Sequence, residues 1–220
     1  MYQQKKVHWW KPIRSWLQQT GFCWYTLSVQ SIRELPFVGG HVALDFVNTA
    51  EERGHPEADD VLLTPQDLRL WGQRHGVLGR SVPLHPDAET ELQRAREARE
   101  LMYALLYARV HQRPLPAIAV RSLGELAADA YRAADLQLDP DGATRWHWST
   151  ARLETVRHVA VTAGVELLAG RPSTRLKQCP GDHCGWFFLD ATKRGNRRWC
   201  QMRECGQEAK DRRRREQRRR

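Results

Sequence analysis

The stretch CPGDHCGWFFLDATKRGNRRWCQMRECGQEAK (179–210) decides the fold of this chain, because it holds four of the five cysteines. They follow the spacing Cys-x4-Cys-x15-Cys-x4-Cys, as two close pairs joined by a loop. Such pairs suit a tetrahedral ion, because each pair supplies one edge of the tetrahedron and the loop brings the edges together. The sequence therefore predicts one structural Zn2+ ion bound by Cys179, Cys184, Cys200 and Cys205.

The residues around the cysteines fit a small module folded about that metal. Glycines follow the second and fourth cysteines, at Gly185 and Gly206, and predict tight backbone turns there. A segment of about fifty residues buries too little surface to fold alone, so the metal would stabilise it. A closed shell of four thiolates leaves no position for a substrate, which indicates a structural site. The apolar shell of the module would come from Trp186, Phe187, Phe188, Leu189 and Trp199.

Other interpretations of the cysteines remain open. They could be unrelated buried or redox-active thiols, or could hold an iron–sulfur cluster, although the spacing matches neither common ferredoxin pattern. His183 could replace one cysteine as a ligand, but beside four regularly spaced cysteines we expect it to be a spectator. Cys23 stands alone and is expected to be an incidental thiol.

The charge of the chain is unevenly distributed. Of the net +9, residues 171–220 hold 16 Lys and Arg against 6 Asp and Glu, whereas residues 35–170 hold 14 against 19. This asymmetry predicts a polyanionic partner at the C-terminal end, nucleic acid before membrane. A basic helix is expected after Gln201, with a solvated, disordered end as the alternative for the last six residues. The candidate phosphate-binding residues are Lys193, Arg194, Arg197, Arg198, Lys210, Arg212, Arg213, Arg214 and Arg215.

Upstream of the cysteines the pattern indicates a helix-rich body. The apolar run HVALDFVNT (41–49) predicts a buried strand. Trp146 and Trp148 would share one face of a hairpin and are expected to pack onto the core. Apolar periodicity and end signals predict helices from Thr64 to Gly76, from Pro86 to Val110, over 117–134 and over 151–169, and a hairpin over 136–148.

The predicted fold class is mainly α with a small β component (α+β), a helix-rich N-terminal domain followed by a small treble-type zinc finger module. No stretch approaches 18 apolar residues, which predicts no membrane span. The short apolar run at residues 21–29 lacks a small-residue cleavage site, so we expect a cytoplasmic protein. The expected organisation is a poorly ordered leader (1–34), the body (35–170), the finger (174–212) and a basic tail (213–220), with a linker at 170–173.

Two segments carry a resemblance to a known family. Residues 179–210 resemble the CGNR-type zinc finger, and FVGGHVALDFVNT (37–49) resembles the start of the ABATE domain that precedes this finger in bacterial stress-induced transcription regulators. The resemblance spans residues 36–212. It implies a body that receives a small-molecule or protein signal, and a finger that binds nucleic acid, DNA favoured over RNA.

Within the resembling segments, two details affect how residues are carried over. Asp45 and Asn48 lie in the N-terminal match and could contact a ligand, although the residues themselves favour a role in satisfying backbone groups. The signature Cys-Gly-Asn-Arg reads Cys205-Gly206-Gln207-Glu208 here. Neither changed residue is a ligand, so zinc binding should survive, but a phosphate contact by the signature arginine would be lost.

The sequence thus favours a DNA-binding transcription regulator. The alternative is a zinc-stapled module that binds RNA or protein without sequence-specific DNA recognition, in which the aromatic residues near the metal would offer a stacking face if exposed. We do not expect an enzyme, because the nine histidines are scattered and form no nucleophile–base pattern.

Overall fold

The computed structural model describes residues 31–50, 60–169, 175–181 and 184–219. The predictions about most of the leader, Cys23, the linker and His183 fall outside these ranges. Within them the chain forms six helices and four strands: α1 (Val42–Val47), α2 (Pro65–Arg74), α3 (Ala88–Val110), α4 (Ala117–Arg132), β1 (Asp135–Leu138), β2 (Thr144–His147), α5 (Thr155–Ala169), β3 (Leu176–Gln178), β4 (Phe187–Leu189) and α6 (Cys205–Arg218).

The helices of the body surround α3, which contacts α1, α2, α4 and α5. The side chains of Phe46, Leu68, Trp71 and Leu101 are fully buried between these helices. Two antiparallel hairpins, β1–β2 and β3–β4, make up the sheets in the described part of the chain. The predicted class, mainly α with a small β component, is confirmed.

Local signals placed the helix ends well. Thr64 caps α2 in a capping box with Asp67, each side chain bonding the other's backbone N–H, and Pro65 occupies the first turn. Helix α5 begins later than predicted, because residues 149–154 form a turn in which the Thr155 hydroxyl donates to the Ser149 carbonyl at 2.7 Å.

The prediction of a strand over 41–49 was wrong, because Val42–Val47 is a helix. Residues Ala43 to Val47 are all buried. A short segment that is buried on every side shows neither a helical nor a strand period, so its apolar run could not distinguish the two.

The two strands of the predicted hairpin are present, but the prediction that its tryptophans pack onto the core was wrong. Leu136 pairs with Trp146 in the antiparallel register, but every residue of β1 is exposed and Trp146 is 45% exposed. Trp146 lies against Tyr131 of α4 at a ring distance of 5.3 Å, and Trp148 Nε1 donates to the Ala130 carbonyl at 2.8 Å. The hairpin thus attaches to the outer side of α4 instead of packing onto the core.

Candidate metal centre and nucleic-acid interface

The four predicted ligands come from three different elements. Cys179 directly follows β3, Cys184 lies in the connection to β4, Cys200 lies in the loop between β4 and α6, and Cys205 is the first residue of α6. The site thus joins the turn of the β3–β4 hairpin to the start of α6 through the loop that carries Cys200.

The geometry of the four sulfurs fits one zinc ion. All four Sγ atoms lie within 4.8 Å of one another, with Cys184 and Cys200 at 3.4 Å and Cys200 and Cys205 at 3.5 Å. A tetrahedral Zn2+ with Zn–S bonds near 2.3 Å needs sulfurs about 3.8 Å apart. Cys179, Cys200 and Cys205 are buried and Cys184 is half-buried. The donor set is therefore that of a single, closed, structural zinc site.

Hydrogen bonding between the thiols shifts the pKa of three of the four cysteines. Hydrogen bonding from Cys184 and the other two thiols lowers the pKa of Cys179, whereas hydrogen bonding with Cys179 raises the pKa of Cys184 and of Cys200. Zinc favours the thiolate form of all its cysteine ligands. A divalent cation bound by the four cysteines would account for the close approach of their sulfurs.

The two glycines predicted to form turns have different roles. Gly185 has φ of +67°, the left-handed conformation that the turn after Cys184 requires. Gly206 lies inside α6, where a Cβ atom would come within 2.5 Å of Met202 Sδ and 3.2 Å of Trp199 Cδ1. The turn prediction for Gly206 was wrong: the residue is helical, and a side chain there would displace the exposed Met202 side chain and press on Trp199.

The apolar shell of the finger is shared with the body. Trp186, Phe187 and Phe188 are at most 3% exposed, and the Phe187 ring lies 5.4 Å from that of Tyr103 in α3. The buried residues of body and finger form one continuous core. The aromatic residues therefore join the finger to the body, and of the predicted stacking rings only Trp199 is partly accessible.

Asn48 links α1 to the finger. Its Nδ2 donates to the Phe187 carbonyl and its Oδ1 accepts from the Phe187 N–H, both at 2.9 Å. The side chain thus pairs with β4 as a neighbouring strand would, and it is 1% exposed. Next to it, the Leu189 N–H donates to the Gly39 carbonyl at 2.8 Å.

Asp45 fixes the loop that precedes α1. Its Oδ1 accepts from the Gly39 N–H at 2.7 Å and its Oδ2 lies 3.1 Å from His75 Nε2. Backbone satisfaction, the role that the residues favoured, accounts for both Asp45 and Asn48. Ligand contact by either side chain stays a prediction.

Arg197 differs from the other eight candidate phosphate-binding residues. Its guanidinium donates to four carbonyls, those of Leu189, Trp199, Cys200 and, in the body, Val38, at 2.6 to 3.2 Å. It also lies over the Phe188 ring, 4.3 Å from the centroid. These contacts occupy the guanidinium inside the protein and tie the zinc loop to the segment before α1.

A second buried group, which sequence reasoning missed, shapes the loop between the cysteine pairs. The Asp190 carboxylate accepts from Lys177 Nζ at 2.7 Å, from Thr192 and from the Arg197 N–H, and it is 1% exposed. Burial opposes its ionisation, but the hydrogen bonds from Lys177 and Thr192 outweigh it and hold the pKa of Asp190 below its ordinary value. The Asp-x-Thr spacing directly after the apolar run 186–189 was the signal that could have revealed it.

The remaining candidates lie in two exposed groups. Helix α6 is 14 residues long, about 21 Å, and only Cys205 and Gly206 of it are buried. In the signature segment, Gln207 donates to Asp211 at 3.1 Å, and Glu208 is exposed in the first turn, where an acid is favourable to the helix dipole. The exposed candidates are Lys193, Arg194 and Arg198 on the zinc loop, and Lys210 and Arg212 to Arg215 on α6.

The fold and the site define a helical domain fused to a four-cysteine zinc finger, and the comparisons with known proteins agree. A family model described as "Putative stress-induced transcription regulator" (ABATE) matches residues 40–171, and the CGNR zinc finger model matches residues 175–219. The chain therefore belongs to the ABATE family and carries a C-terminal CGNR zinc finger. No curated protein matches the chain. None of the described helices is long and apolar enough to cross a membrane.

Proposed function

We propose that this protein is a transcription regulator that binds duplex DNA, with the CGNR finger as the binding module. The observation that carries the proposal is that eight of the nine candidate Lys and Arg side chains are exposed on two segments, residues 193–198 and α6, of one metal-stapled module. Cationic side chains held on a rigid scaffold bind phosphates and release counterions, which gives affinity at physiological salt.

Two features support duplex DNA as the partner before single strands or RNA. Single-strand platforms need exposed aromatic rings, whereas Trp186, Phe187 and Phe188 are buried against the body. Helix α6 leaves the finger after its first turn with basic side chains along its length, and a helix fits the major groove of B-DNA, which is about 12 Å wide.

The body supplies the regulatory part of the proposal. We propose that the ABATE domain receives a small-molecule or protein signal and passes it to the finger through the contacts of Asn48 and Arg197. We also propose a non-catalytic role, because four thiolates close the metal site, and a cytoplasmic location, where a bacterial regulator meets its DNA.

The experiment is a salt titration of binding to a pool of short duplexes, followed by fluorescence anisotropy. With about 6–8 phosphate contacts, log K against log salt should have a slope of roughly −5 to −7. Chelation and the variant Cys200→Ser should both abolish binding. Equal binding by Cys200→Ser would refute the finger as the reader, and tighter binding of single-stranded RNA would favour the alternative partner.

A further inference from the structure

An open groove of about 560 Å3 runs along the junction of body and finger. Its body side is the C-terminal end of α3, with Arg109 and Gln112, and its finger side includes Gln178, Asn196 and Arg198. A volume of this size is in the range of small-ligand sites, and such sites are common where two domains meet.

The groove is electropositive. Among the described residues that line it, four are cationic, namely Arg109, Lys177, Arg197 and Arg198, and none is acidic. Lys177 is neutralised by Asp190 and Arg197 is occupied by carbonyls, as described above. The donors that face a ligand would therefore come from Arg109 and Arg198.

These two arginines are held from opposite sides. Within the part of the chain that the structure describes, Arg109 makes one hydrogen bond, from Nη2 to the Leu168 carbonyl at 2.7 Å. Arg198 is exposed, and its guanidinium lies over the Trp199 ring at 4.9 Å from the centroid. A guanidinium has five N–H donors in a planar fork that matches phosphate, so each arginine keeps donors for an oxyanion after these contacts.

The groove also adjoins the proposed nucleic-acid interface. Arg198, which lines the groove, belongs to the exposed zinc loop. Pro180 also lines it, and the next residue, Gly181, lies close to the Cys205 side chain at the start of α6. A phosphate in the groove would thus lie between the body and the surface that we propose for DNA.

We infer that this groove is a phosphate-binding site shared by body and finger. The phosphate could belong to the backbone of the bound nucleic acid, in which case the interface extends onto the ABATE domain, or to a small phosphorylated signal. The first source rests on the proposed function and the second does not. In either case a bound phosphate bridges Arg109 and Arg198 and strengthens the docking of the finger.

The test follows the Nε–Hε signals of Arg109 and Arg198 by NMR in the full, zinc-loaded chain, titrated separately with inorganic phosphate and a short duplex. Both signals should shift together with one of the probes. Because each substitution removes charge-assisted hydrogen bonds to the phosphate, Arg109→Gln and Arg198→Gln should each weaken binding of that probe about tenfold. Arg121→Gln, which changes an exposed arginine of α4 outside the groove, is the matched control.

A folding defect is separable from a binding defect. Arg109→Lys keeps the charge and one donor to the Leu168 carbonyl but loses the fork, so it should fold normally and still bind several-fold more weakly. Full affinity in Arg109→Lys together with a weakly binding, unfolded Arg109→Gln would overturn the proposal, because Arg109 would then be structural only.

The outcomes also separate the groove from the DNA-binding proposal. Shifts of both arginines with phosphate, but no binding of any duplex, would support the groove and refute DNA binding. Duplex binding that shifts Arg198 while neither probe moves Arg109 would overturn the groove and leave DNA binding intact. Shifts with duplex alone would assign the site to the nucleic-acid backbone.

Discussion

Two sets of basic residues in the finger use their charges in opposite ways. Lys177 of β3 and Arg197 of the zinc loop direct their charges inward, to Asp190 and to backbone carbonyls. The arginines of α6, like the other three basic residues of the zinc loop, are exposed to solvent. The inward set stabilises the finger and, through Arg197, its contact with the body, whereas the exposed set lies where a partner can reach it. The number of basic residues in this finger is therefore larger than the number that a partner can reach, because two of them form contacts inside the protein.

The largest effect on stability is expected from the loss of zinc, because the fold of the whole finger depends on it. Structural zinc contributes about 10–16 kcal/mol in finger peptides, so Cys200→Ser or chelation should unfold the finger. Because β4 packs against α1 and α3, the body should also lose stability. Differential scanning calorimetry should show a lower melting temperature for the body, and reloading zinc should restore it. An unchanged melting temperature would mean that the body is stable independently of the finger.

The next largest effect is expected from the two hydrogen bonds between Asn48 and β4. Asn48→Ala leaves the N–H and carbonyl of Phe187 buried without these partners, at about 1–3 kcal/mol for each group. We expect a loss of about 3 kcal/mol in the free energy of unfolding, measured by urea denaturation. Gln207→Ala, an exposed amide in α6, is the control and should change stability by less than about 0.5 kcal/mol.

The difference between inward-directed and exposed basic residues is tested by substituting one arginine of each kind. Arg197→Gln removes four carbonyl contacts and should lower the free energy of unfolding by about 2 kcal/mol. Arg215→Gln should leave stability unchanged and reduce the salt slope of DNA binding by about 0.9. Paired urea and anisotropy titrations measure both quantities. If Arg197→Gln were stable and reduced the slope equally, the inward assignment of Arg197 would be wrong.

Sequence reasoning reached the parts of this fold that depend on local chemistry. The cysteine spacing located the metal site, and the hydroxyl, proline and acid at Thr64 to Asp67 located the start of α2, because these signals act within a few residues. It failed at Val42–Val47, which is buried by distant helices, and at Trp146, whose strand faces solvent. Which element covers which is decided by tertiary packing, and a single sequence does not contain that information directly.

Tertiary packing also separates the nine basic candidates into buried and exposed residues. In the sequence, Arg197 and Arg198 are neighbours and were equally good candidates for binding phosphate. The structure turns one toward the Val38 carbonyl of the body and leaves the other exposed above Trp199. Carbonyls of this kind carry no sequence signature, since every residue has one.

The smallest expected effect comes from Glu208, where the family signature has arginine. Glu208 is exposed in the first turn of α6, where its charge suits the helix N-terminus but opposes a phosphate. Glu208→Arg should leave zinc content unchanged, cost about 0.5 kcal/mol of helix stability, and steepen the salt slope by up to about 0.9 if the new side chain reaches a phosphate. Glu208→Gln separates the removal of repulsion from the gain of a contact, because it should raise affinity without adding a counterion to the slope. Unchanged affinity in both variants would place the first turn of α6 outside the interface and leave DNA binding to its arginine-rich later turns and the zinc loop.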